Sequence, residues 1–474
     1  MKSLKRVAAG ILAVVMTFSF AGCSGGDKDS SSKREDKVKV ISTDDIKPIA
    51  DGEDKTLLFM GLSNLNPSGN DDKTVGLTLF EEKGGKIEYA RVTSSSQYSK
   101  LGAAVTAGKD VPDLFGDAGP MFPCQVVQGF FQPVDEIVDF TSPLWEGVKD
   151  TADQYVLNGK HYVAPISFAP TAMLFYDKNV ISELGMDDPQ DLYYADEWDY
   201  DAMDDLMSEY VNSAEGDEER YGINGWYAPQ YIQQTGETLI QTDDYITYKS
   251  NLDSAKIAAA EERLANWKKN NWVEPNWIGQ AAEAFKKNVL FYSMGTWAAS
   301  GSGNGPQSAD NWGVVPFPKD PSYEGDKPIT SARMCAYSWV AGSTKTDAVR
   351  AFYECYRIAE TDETYKANGK AKWKESNLNW TDDDYAIMTE VADPDTHLMI
   401  FDPGYGVSSL MGDDFSGFMV GVCLVNWLYK STSVVDEEGI SYTWTQTKEK
   451  FGSTVDGELK TLNDSIQKFI ASDK

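Results

Sequence analysis

The chain has 474 residues, enough for roughly three average domains or two large ones, which excludes a single small module. Lys and Arg number 43 against 74 Asp and Glu, a net charge of −31; such a field repels a phosphate backbone and argues against nucleic-acid binding. With 41% hydrophobic and 12% aromatic residues the chain can bury a large core, which excludes general disorder.

In chain order, the first legible segment is the N-terminus. Lys2, Lys5 and Arg6 precede an apolar stretch from Val7 to Phe20. It is too short to span a hydrocarbon core of roughly 30 Å as a helix, and it fits the apolar region of a secretory signal. The stretch ends in Phe20-Ala21-Gly22-Cys23, which resembles the lipobox of bacterial lipoproteins, with Phe20 where Leu is usual. That resemblance implies removal of residues 1–22 and a diacylglyceryl group on Cys23; an ordinary secretory signal with a chance cysteine is the alternative. Two acyl chains suffice to hold a protein at a bilayer, so the expected location is the extracellular face of the bacterial cell membrane, anchored through Cys23. From Ser24 to Lys37 no side chain is apolar. Residues 23–52 therefore read as a flexible tether, with the folded body beginning near Glu53. No later run approaches 18 apolar residues, so no transmembrane helix is expected.

The body opens with a strand at Lys55–Met60, followed by Asn64–Gly69. This loop imitates the start of a calcium site but has Pro67 and Val75 at ligand positions, and is discounted. A strand at Lys86–Val92, a helix at Tyr98–Gly108 and a brief strand at Asp110–Phe115 follow, a spacing that signals a parallel sheet with covering helices. Ile257, Leu264 and Trp267 mark a helix with charged residues on its solvent side. Val349, Phe352, Tyr353, Tyr356 and Ala359 mark another, and Leu459, Leu462, Ile466, Phe469 and Ile470 a third near the C-terminus; these stripes are core faces. The fold class is α/β, and the length favours two lobes.

Little points to catalysis. The chain has only two histidines: His161 lies at a turn into a strand and His397 in a loop, and both read as structural. Cys124, Cys335, Cys355 and Cys423 match no zinc spacing, so neither metal nor other cofactor is expected; two disulfides and four free thiols are equally open. No nucleophile elbow, phosphate-binding loop or zinc-protease motif is present. Carboxylates are too abundant to single out a glycosidase pair. What stands out is tryptophan, thirteen in all, several beside Gly and Asn. An aromatic face covers the C–H face of a sugar ring while neighbouring polar groups bond its hydroxyls. Trp267, Trp339 and Trp427 lie in apolar runs and are assigned to packing, whereas Trp226, Trp297 and Trp312 are candidate sugar platforms.

An ordered series of short motifs spans nearly the whole body. It comprises Ala107-Gly108-Lys109-Asp110-Val111-Pro112-Asp113-Leu114-Phe115, Gly129-Phe130-Phe131-Gln132-Pro133-Val134-Asp135, and Asn158-Gly159-Lys160-His161-Tyr162-Val163-Ala164-Pro165. Further on come Leu174-Phe175-Tyr176-Asp177-Lys178-Asn179, then Ala284-Phe285-Lys286-Lys287-Asn288 with Gly295-Thr296-Trp297, and Trp312-Gly313-Val314-Val315-Pro316-Phe317-Pro318. In this order they resemble the extracellular solute-binding proteins of ABC importers, of the sugar-binding type that includes maltose-binding proteins.

The resemblance implies a two-lobe, periplasmic-binding-protein-like fold with a hinge of three segments and a ligand cleft between the lobes. Carried onto this chain, the N-terminal lobe is expected to comprise residues 53–166 and 335–402, and the C-terminal lobe 167–334 and 403–474. Crossings are expected near Pro165–Phe168, Arg333–Ala336 and Phe401–Tyr405. The implied ligand contacts are Gly116, Asp117, Ala118 and Gly119 after the Pro-Asp strand, Ser167 and Phe168 past the first crossing, and Trp297. Trp226, from its loop setting, Tyr405, at the third crossing, and Arg333, near the second crossing where the family commonly has small residues, are further candidates. An arginine facing the cleft suits an acidic sugar through paired donors, with a structural salt bridge as the alternative. The implied function is a monomeric, lipid-anchored receptor that captures a carbohydrate by hinge closure and delivers it to an ABC permease, without catalysis. A secreted carbohydrate-active hydrolase, or a lipoprotein that binds a peptide or anionic solute, remains as the alternative.

Overall fold

The computed structural model of the protein describes residues 46–472 except 66–72, 94–95, 117–121, 280–283, 286–287, 297–310, 377–379, 413–422 and 437. Cys23, Asp117, Ala118, Gly119 and Trp297, and most of the discounted calcium-like loop, thus lie outside the described residues. The strands in chain order are β1 (Thr56–Gly61), β2 (Lys86–Arg91), β3 (Leu114–Gly116), β4 (Val156–Leu157), β5 (Lys160–His161), β6 (Ala164–Pro170) and β7 (Met173–Asp177). They continue as β8 (Tyr221–Gly225), β9 (Ile240–Thr242), β10 (Tyr248–Ser250), β11 (Val289–Met294), β12 (Trp312–Val315), β13 (Ile329–Trp339) and β14 (Leu398–Ile400).

Two main sheets result. In the first, β1 runs parallel to both β2 and β3, with β13, β6 and β14 completing six strands. The strand–helix–strand pattern forms as expected: the helix Gln97–Ala107 ends at Gly108, whose φ of 61° closes it in the left-handed region. Asp113 fixes the start of β3. Its buried carboxylate accepts from Leu58 N at 2.8 Å, Ser343 Oγ at 2.7 Å and Lys345 Nζ at 2.9 Å, so the Pro-Asp motif is a clamp on the sheet. The second sheet has the order β12-β7-β11-β8, with β8 and β11 parallel and the other pairs antiparallel. Helices Val75–Glu82 and Thr346–Thr361 pack together on the first sheet, and the C-terminal helix Trp444–Ser472 packs on β10 and on Ala255–Lys269.

The chain leaves the first sheet after Pro170, enters the second at Met173, and returns to the first with β13. The three segments expected to cross between lobes lie side by side. Ser167 pairs with Cys335 and Pro165 with Ala336, while Phe401 follows directly on β14, itself paired with the start of β13. The segment 335–402 does not sit as one block on the first sheet: Trp380, Tyr385, Ile387, Met388 and Val391 share a core with Met173, Phe175, Trp312 and Val314 of the second. Asp384, in the helix Asp382–Glu390, accepts from Gln190 Nε2 at 2.7 Å and fastens that helix there. Trp312, a candidate sugar platform on sequence, is corrected to a core residue. It is 2% exposed and meets the Trp380 ring edge-on at 4.7 Å. Gly313 beside it marks no loop; a Cβ there would lie 2.6 Å from the Tyr176 ring, so glycine is needed for close packing inside β12. All four described cysteines are free thiols.

Candidate functional site

A pattern of strand pairing creates the site. Tyr337 pairs with Gly116 of β3 on one edge of β13 and with Ala164 of β6 on the other. At the other end of β13, Ser331 pairs with Ile400 of β14, and its carbonyl accepts from Thr171 N at 2.8 Å, on the edge that continues β6. Strands β3 and β14 therefore flank one edge of β13, and between them Ala332–Ala336 has no strand partner on that edge among the described residues.

A cavity of about 650 Å³ opens along this gap, lined by Ser331, Ala332, Arg333 and Met334 and by residues 398–403. Phe122, Gln154 and Tyr155 line it from the side of the first sheet, and Pro229, Gln230, Gln233, Thr242, Tyr245 and Tyr248 from the side of the second. Its aromatic side is a chain of ring contacts: Phe122 to Tyr155 at 5.5 Å, Tyr155 to Phe401 at 6.3 Å and Phe401 to Phe168 at 6.2 Å. The opposite side is polar. Gln230 and Gln233 sit on the apolar helix Ala228–Gln233 and are both 3% exposed, yet neither Oε1 has a hydrogen-bond partner among the described residues, and the same holds for Thr242 Oγ1. Such orphaned buried acceptors cost free energy unless a ligand or water satisfies them.

The glutamine is held from behind. Gln233 Nε2 donates to Tyr429 Oη at 3.3 Å, and that hydroxyl donates to Asp402 Oδ2 at 2.5 Å. Asp402 also accepts from Leu239 N at 3.1 Å and Gly404 N at 2.7 Å, tying the segment after β14 to the second-sheet side. Burial pushes the Asp402 carboxyl up to about 6, with the Tyr429 hydroxyl and backbone amides opposing. The amide group of Gln233 is thus oriented, with its oxygen buried and unpartnered among the described residues.

Of the residues expected to contact ligand, Arg333 and Tyr405 line the cavity. Arg333 is exposed and makes no ion pair among the described residues, so the structural salt bridge foreseen as its alternative is absent there. Ser167 and Phe168 are buried in β6 and lie outside the lining; Phe168 neighbours the lining residues Phe401 and Met334. Gly116 closes β3 and lies outside the lining, where a Cβ would lie 3.0 Å from the Phe59 ring. Trp226 also stands outside it, 43% exposed and stacked at 6.4 Å on Trp277. Its neighbour Gly225 adopts φ 104°, and a Cβ there would overlap the Ser293 carbonyl, so the turn demands glycine. Sequence reasoning missed Phe122, Tyr155, Gln230, Gln233 and Thr242. The available signal was two glutamines three residues apart in a helix that is otherwise mostly apolar.

Among the described residues no helix is long and apolar enough to cross a membrane, and no group of three or more His, Cys, Asp or Glu could hold a metal ion. The family model described as bacterial extracellular solute-binding protein matches residues 78–370. No curated protein sequence matches the chain. Among solved structures, the GacH receptor of Streptomyces glaucescens, known unliganded and with acarbose, aligns with a TM-score of 0.60 at 15% identity, over 85% of this chain and 98% of that one. The galacto-N-biose/lacto-N-biose I-binding protein of an ABC transporter from Bifidobacterium longum, in complex with lacto-N-biose, aligns with a TM-score of 0.60 at 13% identity, over 87% and 99%. An ABC substrate-binding protein from Listeria monocytogenes in complex with cycloalternan gives 0.56 at 14%, over 88% and 100%. The fold is thus the mixed α/β, two-lobe fold of these sugar-binding proteins, and with the family model covering more than half its length, this chain belongs to the bacterial extracellular solute-binding proteins.

Proposed function

We propose that this protein is a monomeric extracellular receptor, anchored through a lipid on Cys23, that captures a carbohydrate in the cleft along β13 and presents it to an ABC permease. The observation that carries the reading is the lining of the cavity of about 650 Å³: rings on one side, and on the other the polar residues Gln230, Gln233, Gln241 and Thr242. Rings cover the C–H faces of a pyranose, and amide and hydroxyl oxygens accept from its hydroxyls. Sugar ligands in the similar solved structures support the same class.

A micromolar affinity requires about −8 kcal/mol, whereas one ring contact contributes roughly 0.5–1.5 kcal/mol. Both sides must therefore engage the ligand, which couples binding to closure of the halves around the hinge strands. Small-angle scattering with and without a sugar found by thermal-shift screening tests this. A smaller radius of gyration in the complex, stoichiometric binding and no hydrolysis products are expected. Identical scattering curves, or turnover of an oligosaccharide, would overturn it.

A further inference from the structure

We infer that the cleft selects saccharides carrying an anionic group, a carboxylate or a sulfate ester, and that Arg333 is the residue that reads it. This deepens the receptor reading above and rests on it.

Among the described residues that line the cavity, Arg333 is the one cation. Three carboxylates share the lining, and each already has partners. Glu237 accepts from Asn251 Nδ2 at 3.1 Å and from the Ser254 hydroxyl, and Asp243 pairs with Lys249 at 3.1 Å. Asp402 holds Tyr429, Leu239 and Gly404. None of them neutralises Arg333. Four other arginines are engaged: Arg263 with Asp201 and Asp204, Arg350 with Asp347 and Glu354, Arg220 with Glu218, and Arg357 with the carbonyls of Leu144 and Ile166. Arg91 is also without an ion pair among the described residues, but it ends β2 on the exposed surface and does not line the cavity. In a chain with 74 acidic residues, a guanidinium left without a carboxylate in a groove is available to something from outside.

The strand holds Arg333 in place. It sits between Ala332 and Met334, each 9% exposed, opposite Ala169 of β6, on the stretch of β13 that lines the cavity. A guanidinium presents a planar fork of donors that matches a carboxylate or sulfate through two parallel bonds. The amide oxygens of Gln230 and Gln233 only accept and disfavour an anion. The two sets therefore sort a mixed ligand, with hydroxyls toward the glutamines and the charged group toward Arg333.

The test is calorimetric titration of the purified protein with matched pairs: galacturonate and galactose, glucuronate and glucose, as mono- to trisaccharides, with sulfated galactose as a third arm. At least one acidic member is expected to bind tenfold or more tighter than its neutral counterpart, with added salt reducing the preference. Whichever of carboxylate and sulfate binds tighter names the source of the charge. Arg333→Gln should lower the acid-to-neutral ratio by about tenfold to a hundredfold, and Arg333→Lys should restore part of it. Unliganded melting curves confirm that each variant is folded. Neutral sugars binding as well as acidic ones, or a ratio unmoved by Arg333→Gln, overturns this inference and leaves the receptor reading standing. Binding of no saccharide of either kind overturns both.

Discussion

On one side of the cleft Phe122, Tyr155 and Phe401 touch ring to ring at 5.5 and 6.3 Å, while on the other Gln230, Gln233 and Thr242 keep buried oxygens that bond nothing among the described residues. The aromatic side is complete without a ligand, because its contacts are internal. The polar side is incomplete, because its acceptors are buried and unspent. The first should therefore govern the stability of the empty protein, and the second should govern what the protein holds.

The sharpest way to break that division is Tyr155→Ala, which removes the ring between Phe122 and Phe401. A loss of about 3–5 kcal/mol in denaturant unfolding is expected, as for other large-to-small aromatic changes. A loss under about 1 kcal/mol would show that the aromatic side is not self-supporting.

The next prediction concerns Asp402, which backs the polar side. Its folded carboxyl titrates near 6, above the ordinary 3.8, so the folded state holds the proton more tightly. Its contribution to stability is present below pH 3.8 and is lost as pH rises through 6. Relative to Asp402→Asn, which does not titrate, the wild type should lose up to roughly 3 kcal/mol between pH 4 and pH 7. The buried His397 imidazole, pushed down to about 4, titrates in the same window but affects both proteins alike. Unfolding curves at the two pH values check this, and a gap that stays constant with pH would sink it.

The smallest effect is Gln233→Leu. It removes the orphaned oxygen and leaves the cavity close in volume, so unliganded stability should change by less than about 1 kcal/mol while sugar affinity falls about tenfold. Equal affinity in variant and wild type would mean that this oxygen meets no ligand.

How far each region could be read in advance follows the reach of its interactions. The helix Thr346–Thr361 and strands β1 and β2 are legible because their apolar spacing is local, and the long C-terminal helix for the same reason. Arg333 and Tyr405 were expected at the second and third crossings, and both line the cavity because those segments converge on β13. The cavity rings were not legible. Phe122 and Tyr155 look like any core aromatics until the gap beside β13 brings Phe401 against them. Trp312 misled because Asn311-Trp312-Gly313 looks like a loop, whereas the glycine serves a close approach by Tyr176 inside a sheet. Helix Asp382–Glu390 reached the second sheet through Asp384 and Gln190, a pairing between residues 194 apart that no local pattern announces.

The place of Ala332–Met334 along the cavity carries one more consequence. Amides beside a cavity are less protected than amides inside a strand ladder, so those of Ala332–Met334 that face the cavity should exchange with solvent faster than their neighbours facing β6. A guest seated in the gap would shield them. Protection that appears on this edge on adding ligand would therefore report occupancy directly, with no label and no need for the halves to move.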